Sequence, residues 1–481
     1  MTYTSFYYYL TAAAMLPVYY ILPRSFRWVL LLAGSLFLYY HFCLGNPLLL
    51  LIFAFSLLVS FAAGLLLEKS EDTAERKKIL AAGIALSLLP LLPVKLMEFT
   101  RGLGLTLPLT VLAPVGLSFY SLQIAAYLAD IYNRKILAQK NPLRYALFVS
   151  WFPQVIQGPI PRYAQLGKQF DKGPVYNDKL FHEGICLIIW GFFLKFMIAD
   201  KAGIMVDTIF GSPALYPGAY VFLGGVLYSI QLYTDFMSCV CMTKGVSGLF
   251  GVRIADNFRR PYFASSVKDF WHRWHISLSQ WLRDYIYIPL GGSRKGLERT
   301  YLNVVIVFAV SGFWHGGSPK FLFWGMLHAL YQIVGGITGG KRDLVLKKIG
   351  LDPGSLAVRI FRAAVTSFLV MLAWIIFRAD TLTDGLAMIS SMFSIQNPWV
   401  LFDGSVFEMG LDAKDCLVLF LSVLTLLGSS LLGAREKISA WICRQQLPVR
   451  WAILLFTVVI IALTGTYGFG YKAQDFIYGG F

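Results

Sequence analysis

Thirteen mostly apolar stretches follow one another along this chain, near residues 5–22, 26–43, 47–67, 79–97, 114–132, 143–160, 181–200, 217–237, 300–314, 319–338, 357–377, 415–433 and 450–469. Each approaches the run of about 20 apolar residues that a helix needs to cross a bilayer. Some are too short or too broken to cross. "FVSWFPQVIQGPIPRY" (148–163) holds Pro153, Pro159 and Pro161, which break a helix by removing a donor and fixing φ. Broken backbone at membrane depth persists only where protein or a water-filled cavity satisfies it, so this segment is expected not to cross as one continuous helix. The apolar pattern lapses between 244 and 299. Within that window Phe270, Trp271, Trp274, Leu278, Trp281 and Leu282 recur at helical spacing. This predicts an amphipathic helix over 262–292, interfacial or re-entrant.

Composition supports the same class. Of 481 residues, 57% are hydrophobic and 14% charged, against about 25% charged in a soluble globular protein. Too little polar surface is available for a water-facing body of this size, so the fold class is an all-α polytopic membrane protein. The net charge of +16 fits basic loops that hold topology and contact anionic lipid. No basic domain outside the membrane is available for nucleic acid. "NRKILAQKNPLR" (133–144) has four basic residues and no acid, Arg24 and Arg27 follow the first span, and "HFCLGNP" (41–47) has neither Lys nor Arg. The positive-inside rule then puts the N-terminus outside and the basic loops inside. "MTYTSFYYYL" opens the chain without a basic residue, unlike a cleaved signal peptide. The six cysteines lie in or beside apolar stretches with no CxxC pair and read as small buried hydrophobes. Without a repeat or a long linker, one integral domain is expected over 1–481, with N-terminal spans in 1–110 and a motif-bearing core in 110–481.

Ten Lys/Arg and four Asp/Glu crowd into 244–299, where His272 and His275 stand three apart in "DFWHRWHISLSQW". A metal site would have to recruit both with His315, and no third ligand stands at a recognised spacing, so no metal is expected. A membrane-surface helix without chemistry remains an alternative. His315 ends the apolar run "YLNVVIVFAVSGFW" and precedes Gly316 and Gly317. An ionisable residue at membrane depth marks function by default, and histidine suits general-base work near neutral pH. His328 reads as a core histidine. His41 and His182 sit among ordinary features.

Several motifs in order carry a resemblance to a family. They are "PVGLSFYSLQIAAYLADIY" (114–132), "YALFVSWFPQVIQGPIPRY" (145–163), "ADNFRRPYFASSVKDFWHRWHISLSQWLRDYIYIPLGGSRKG" (255–296), "SGFWHG" (311–316), "AWIIFRADTL" (373–382) and "FIYGGF" (476–481). The chain resembles the membrane-bound O-acyltransferase superfamily, in its alginate O-acetylation branch, over about 110–481. The resemblance implies a ring of tilted helices around a central funnel. It also implies a catalytic histidine at His315 in the "WHG" motif and a second functional histidine at His275, the two approaching the funnel's narrow point from opposite sides. The branch usually carries an Asp where this chain has Cys241, while Asp235 remains and a Lys appears at 244.

The chemistry implied is acyl transfer to a hydroxyl, with His315 as general base and His275 orienting the acceptor or stabilising an oxyanion. No tightly bound cofactor is expected. The donor substrate would be acetyl-CoA or an acyl-carrier thioester. Arg283, Arg294 and Lys295 beside the Gly291–Gly292 turn suit its phosphates, and contact with lipid headgroups would equally explain them. Trp274 and Trp314, each preceding one histidine, are further substrate-binding candidates. The family implies a polysaccharide acceptor, or an exported accessory acetyltransferase that relays the acyl group, and a plasma-membrane location. D-alanyl transfer to teichoic acid, and a lipid or polysaccharide transporter, are the rival readings.

Overall fold

The computed structural model describes residues 2–105, 111–433, 438–467 and 476. Apart from Phe476, the terminal "FIYGGF" motif lies outside the described residues, as does the end of the last apolar stretch. Every regular element among the described residues is helical. Helices α1 (Phe6–Ile21), α2 (Arg24–Phe42), α3 (Pro47–Lys69), α4 (Thr73–Leu88) and α5 (Leu91–Gly102) come first. Local chemistry sets their ends. Asn46 caps α3 through the Leu48 N–H with Pro47 in the first turn, and Asp72 caps α4 through the Glu75 N–H. These caps satisfy donors that a helix start leaves open. Prolines 90 and 93 break the apolar run 79–97, so α4 and α5 meet at a bend of 60° instead of forming one straight span.

Helices α6 (Leu117–Tyr132) and α7 (Pro142–Ser150) lead into the proline-rich segment, which is non-helical up to α8 (Gly167–Lys172). Its backbone is satisfied by protein. Gln123 Nε2 donates to the Phe148 carbonyl (2.7 Å), and Thr243 Oγ1 donates to the Pro153 carbonyl (2.6 Å). The Ile156 N–H donates to the Tyr3 hydroxyl (3.1 Å), and the Ile160 N–H donates to Ser277 Oγ (3.0 Å). The expected broken segment is therefore present and supported as bilayer physics requires.

Next, α9 (Asp178–Phe193) passes through a π-helical turn, Leu194–Ala199, into α10 (Asp200–Gly211). Lys195 in that turn pairs with Asp200 (3.0 Å) and with Asp235 (2.8 Å) of α11 (Ala219–Leu249). Small residues bring α9 and α11 together. A Cβ on Gly184 would lie 2.7 Å from the Gly245 carbonyl, and one on Gly245 would lie 2.7 Å from that of Gly184. Such close approach is how apolar helices gain packing without a hydrophobic driving force between them.

The amphipathic stretch differs from expectation. It is two short helices, α12 (Val267–Arg273) and α13 (Ile276–Leu282), followed by a π turn, Arg283–Tyr287. Then come α14 (Leu297–His315), α15 (Pro319–Lys348), α16 (Leu356–Arg378), α17 (Leu382–Ser394), α18 (Ala413–Leu432), α19 (Ile438–Cys443) and α20 (Leu447–Thr464). Among the described residues, five helices (α3, α15, α16, α18, α20) are long and apolar enough to cross a membrane, or six if α4 and α5 count as one. The other predicted spans are shorter, bent or more polar, and some are interior. Most of α6 is buried, for example, with Gln123 and Asp130 among its buried residues.

The basic loops gather at one end. Arg27 reaches the Pro174 carbonyl (3.2 Å), Arg144 pairs with Asp171 (3.5 Å), Arg162 pairs with Asp284 (3.3 Å), and Gln169 Nε2 donates to the Arg253 carbonyl (2.9 Å). The opposite end joins the turn after α14 to α5, and Asn397 to the start of α11.

Candidate active site

His275 sits in the kink that separates α12 from α13. Its backbone is left-handed (φ 44°), a conformation that costs a non-glycine residue on the order of 1–3 kcal/mol and persists only where surroundings impose it. The extended segment before α12 imposes it here. The Arg259 N–H donates to the Arg273 carbonyl (2.9 Å), and the Ile276 N–H donates to the Asn257 carbonyl (2.9 Å). Asn257 Oδ1 accepts from the Ser277 N–H (3.0 Å) and from Ser277 Oγ (2.8 Å). Asn257 and His275 are both fully buried. The imidazole meets Phe236 edge-on (centroids 4.8 Å), with Phe119 at 6.5 Å and Trp314 at 6.1 Å.

His315 is the last residue of α14 and is buried. The α14–α15 hairpin is tight: a Cβ on Gly312 would lie 2.4 Å from the Phe321 carbonyl. The glycines around His315 thus admit neighbouring protein. Trp314, Trp324 and Phe377 box the imidazole at 4.7, 5.1 and 5.6 Å. Trp314 also faces His275 and anchors its ring by donating from Nε1 to the Ser118 carbonyl (3.1 Å). Its ring thus neighbours both imidazoles. His328 is buried beyond Trp324 (5.0 Å) and accepts from Trp271 Nε1 at 3.3 Å. His272 is exposed. Among the described residues, no three His, Cys, Asp or Glu side chains group as a metal ligand set.

The remaining predicted residues are elsewhere. Trp274 is enclosed by rings, stacked on Phe270 (5.4 Å) and tilted against Trp374 (5.2 Å), so its surroundings are those of core packing. Arg283 pairs with Asp284 (2.8 Å) at the basic end, where Arg294 and Lys295 are exposed. Gly291 and Gly292 turn with φ of 107° and 60°, and buried Asn303 pins the turn by donating to the Gly292 carbonyl (2.9 Å).

Two cavities reach neighbours of the histidines, Asn257 in one and Gly316 in the other. One of ≈ 440 Å³ at the basic end is lined by Cys241, Lys244, Asp256, Asn257, Arg259 and Arg260, among others. There Lys244 pairs with Asp256, while Asp235 is engaged by Lys195. The other, ≈ 470 Å³, lies at the opposite end and is lined by Glu98, Arg101, Gly316, Ser318, Lys320 and Asp380, among others. Sequence reasoning missed Asn257, Lys95 and Glu98. The signal for the last two was present: an acid and a base inside a proline-broken apolar run.

Comparison with known proteins bears on this arrangement. The profile of the MBOAT, membrane-bound O-acyltransferase, family matches residues 109–341. A probable alginate O-acetylase (AlgI) of Pseudomonas fluorescens is 37% identical over 284 residues, covering 59% of this chain and 55% of that protein. A peptidoglycan O-acetyltransferase of Helicobacter pylori is 33% identical over 313 residues, 60% of this chain and 58% of that protein. A teichoic acid D-alanyltransferase of Bacillus subtilis is 32% identical over 212 residues, 40% and 52%. The chain thus spans a little over half the length of these relatives. Both histidine motifs and the proline-broken segment fall inside the matched region, and over it the chain is similar to membrane-bound O-acyltransferases, alginate O-acetylases among them.

Proposed function

We propose that this chain is a membrane-embedded O-acyltransferase of the plasma membrane. It would move an acetyl group from a cytosolic thioester to a hydroxyl on the other side. The observation that carries this reading is the pair of buried histidines, both neighbours of Trp314, with a cavity toward each end of the molecule. The basic end would face the cytosol, where Arg283, Arg294 and Lys295 suit the phosphates of acetyl-CoA or of an acyl-carrier thioester. The acceptor would be a polysaccharide, or an exported acetyltransferase that relays the group.

A hydroxyl is a poor nucleophile until a base takes its proton, a service worth about 10²–10⁴-fold. His315 is that base. The acceptor oxygen attacks the thioester carbonyl as its proton passes to the His315 imidazole. The tetrahedral alkoxide then collapses, the C–S bond breaks, and the departing thiolate takes the proton back. His275 orients the acceptor or donates to the alkoxide. The thioester is already activated, so no acyl-enzyme is needed.

The test is alkali-released acetate from envelope polysaccharide of cells producing wild-type protein or His315→Ala at equal membrane levels. Loss of at least tenfold is expected. Unchanged acetate would refute the role of His315. Loss of released D-alanine instead would favour the second acyl transfer, which the D-alanyltransferase relatives support.

A further inference from the structure

The bent half-helix α5 carries an ion pair, its lysine buried and its glutamate half-buried, to the turn that follows His315. Lys95 is 2% exposed and donates from Nζ to Glu98 Oε2 at 3.0 Å. The same oxygen accepts from the Gly317 N–H at 2.7 Å. The backbones are in contact as well: a Cβ on Gly317 would lie 2.4 Å from the Lys95 carbonyl oxygen. The pair is thereby held against the turn two residues past His315, and Glu98 lines the ≈ 470 Å³ cavity together with Gly316.

Burying the ammonium is not a route to stability. Taking a charge out of water costs about what pairing it returns, and an apolar side chain of equal volume is often as stable. A lysine retained at this depth in an apolar, proline-broken segment calls for another explanation. His315 supplies one. In the acyl transfer proposed above, on which this inference rests, negative charge develops on oxygen beside the base. A fixed charge in a water-excluded site stabilises it without reorganising.

We propose that Lys95 is a positioning residue of the acyl-transfer site, its ammonium oriented by Glu98 as a fixed positive charge beside His315. Glu98 has two tasks: it holds the ammonium, and it ties down the Gly316–Gly317 turn that ends α14. Lys95 acts through the field at the reacting atoms, and the bend between α4 and α5 brings it there.

The test separates the charge from the clasp. Four variants are produced in cells at matched membrane levels: Lys95→Met, Lys95→Arg, Lys95→Met with Glu98→Gln, and His315→Ala. Alkali-released acetate is measured with the melting temperature of each purified protein in detergent. In the double variant the glutamine amide oxygen still accepts from the Gly317 N–H and no buried charge is left alone. A merely structural pair would therefore regain activity. The expected result is a wild-type melting temperature with acetate reduced about 100-fold, the size typical of losing one oxyanion-stabilising group. Lys95→Arg keeps the charge and is expected to stay within about tenfold of wild type. Wild-type acetate in Lys95→Met would overturn the inference. So would recovery in the double variant, or its failure to accumulate, since the pair would then serve the fold alone. Wild-type acetate in His315→Ala would instead overturn the acyl-transfer reading itself.

Discussion

At the scale of single residues, the two motif histidines show how unevenly chemistry is encoded. Their identity is local and visible, whereas what holds them is not. His275 keeps a left-handed backbone because Asn257, 18 positions earlier, accepts two hydrogen bonds from Ser277. Removing that acceptor leaves buried donors without a partner, a loss of about 1–3 kcal/mol. Asn257→Ala is expected to lower the melting temperature in detergent and to reduce acetate release. Asn257→Asp retains the acceptor oxygen and should fall between Asn257→Ala and wild type in melting temperature. If Asn257→Ala melts like wild type, the clamp is not what maintains the kink. The aromatic residues divide in the same way. Trp274 and Trp314 look equivalent in sequence, each just before a histidine. Only one of them, Trp314, neighbours both histidines, because Trp274 turns into the Phe270 and Trp374 cluster.

At the scale of helices, boundaries were legible where the backbone itself sets them. Pro47 with Asn46, Asp72, and the prolines of 153–161 mark starts and breaks that the structure reproduces. The kink at 274–275 was not legible, since no proline or glycine stands there and a tertiary hydrogen-bond network imposes it. The α14–α15 hairpin depends on a glycine for space. Gly312→Ala would push a Cβ to 2.4 Å from the Phe321 carbonyl, and overpacking against backbone typically costs about 1–3 kcal/mol. Gly335→Ala on the same hairpin meets nothing within 4 Å and should gain roughly 0.5–1 kcal/mol from helix propensity. Opposite shifts in melting temperature for the two variants are the expected outcome. Equal shifts would mean that α14 and α15 do not pack this closely.

At the scale of the whole molecule, the charge asymmetry predicts orientation. Loops with Lys140, Arg144, Arg253 and Arg294 gather at one end, and the turn after His315 belongs to the other. In right-side-out membrane vesicles, with the native cysteines replaced, a membrane-impermeant thiol reagent should label Asp403→Cys directly. It should label Arg294→Cys only after the vesicles are opened. The reverse pattern would invert the proposed route from donor to acceptor. Membrane class, helix content, the broken segment and the motifs that hold both histidines were legible in composition, periodicity and motif order, because apolar run length, proline and caps act within a few residues. The contact of Trp314 with His275, the Asn257 clamp and the approach of Lys95 to the turn after His315 were decided by packing alone. They join residues 18 to more than 200 positions apart, and no local period or propensity carries information about which distant faces will meet.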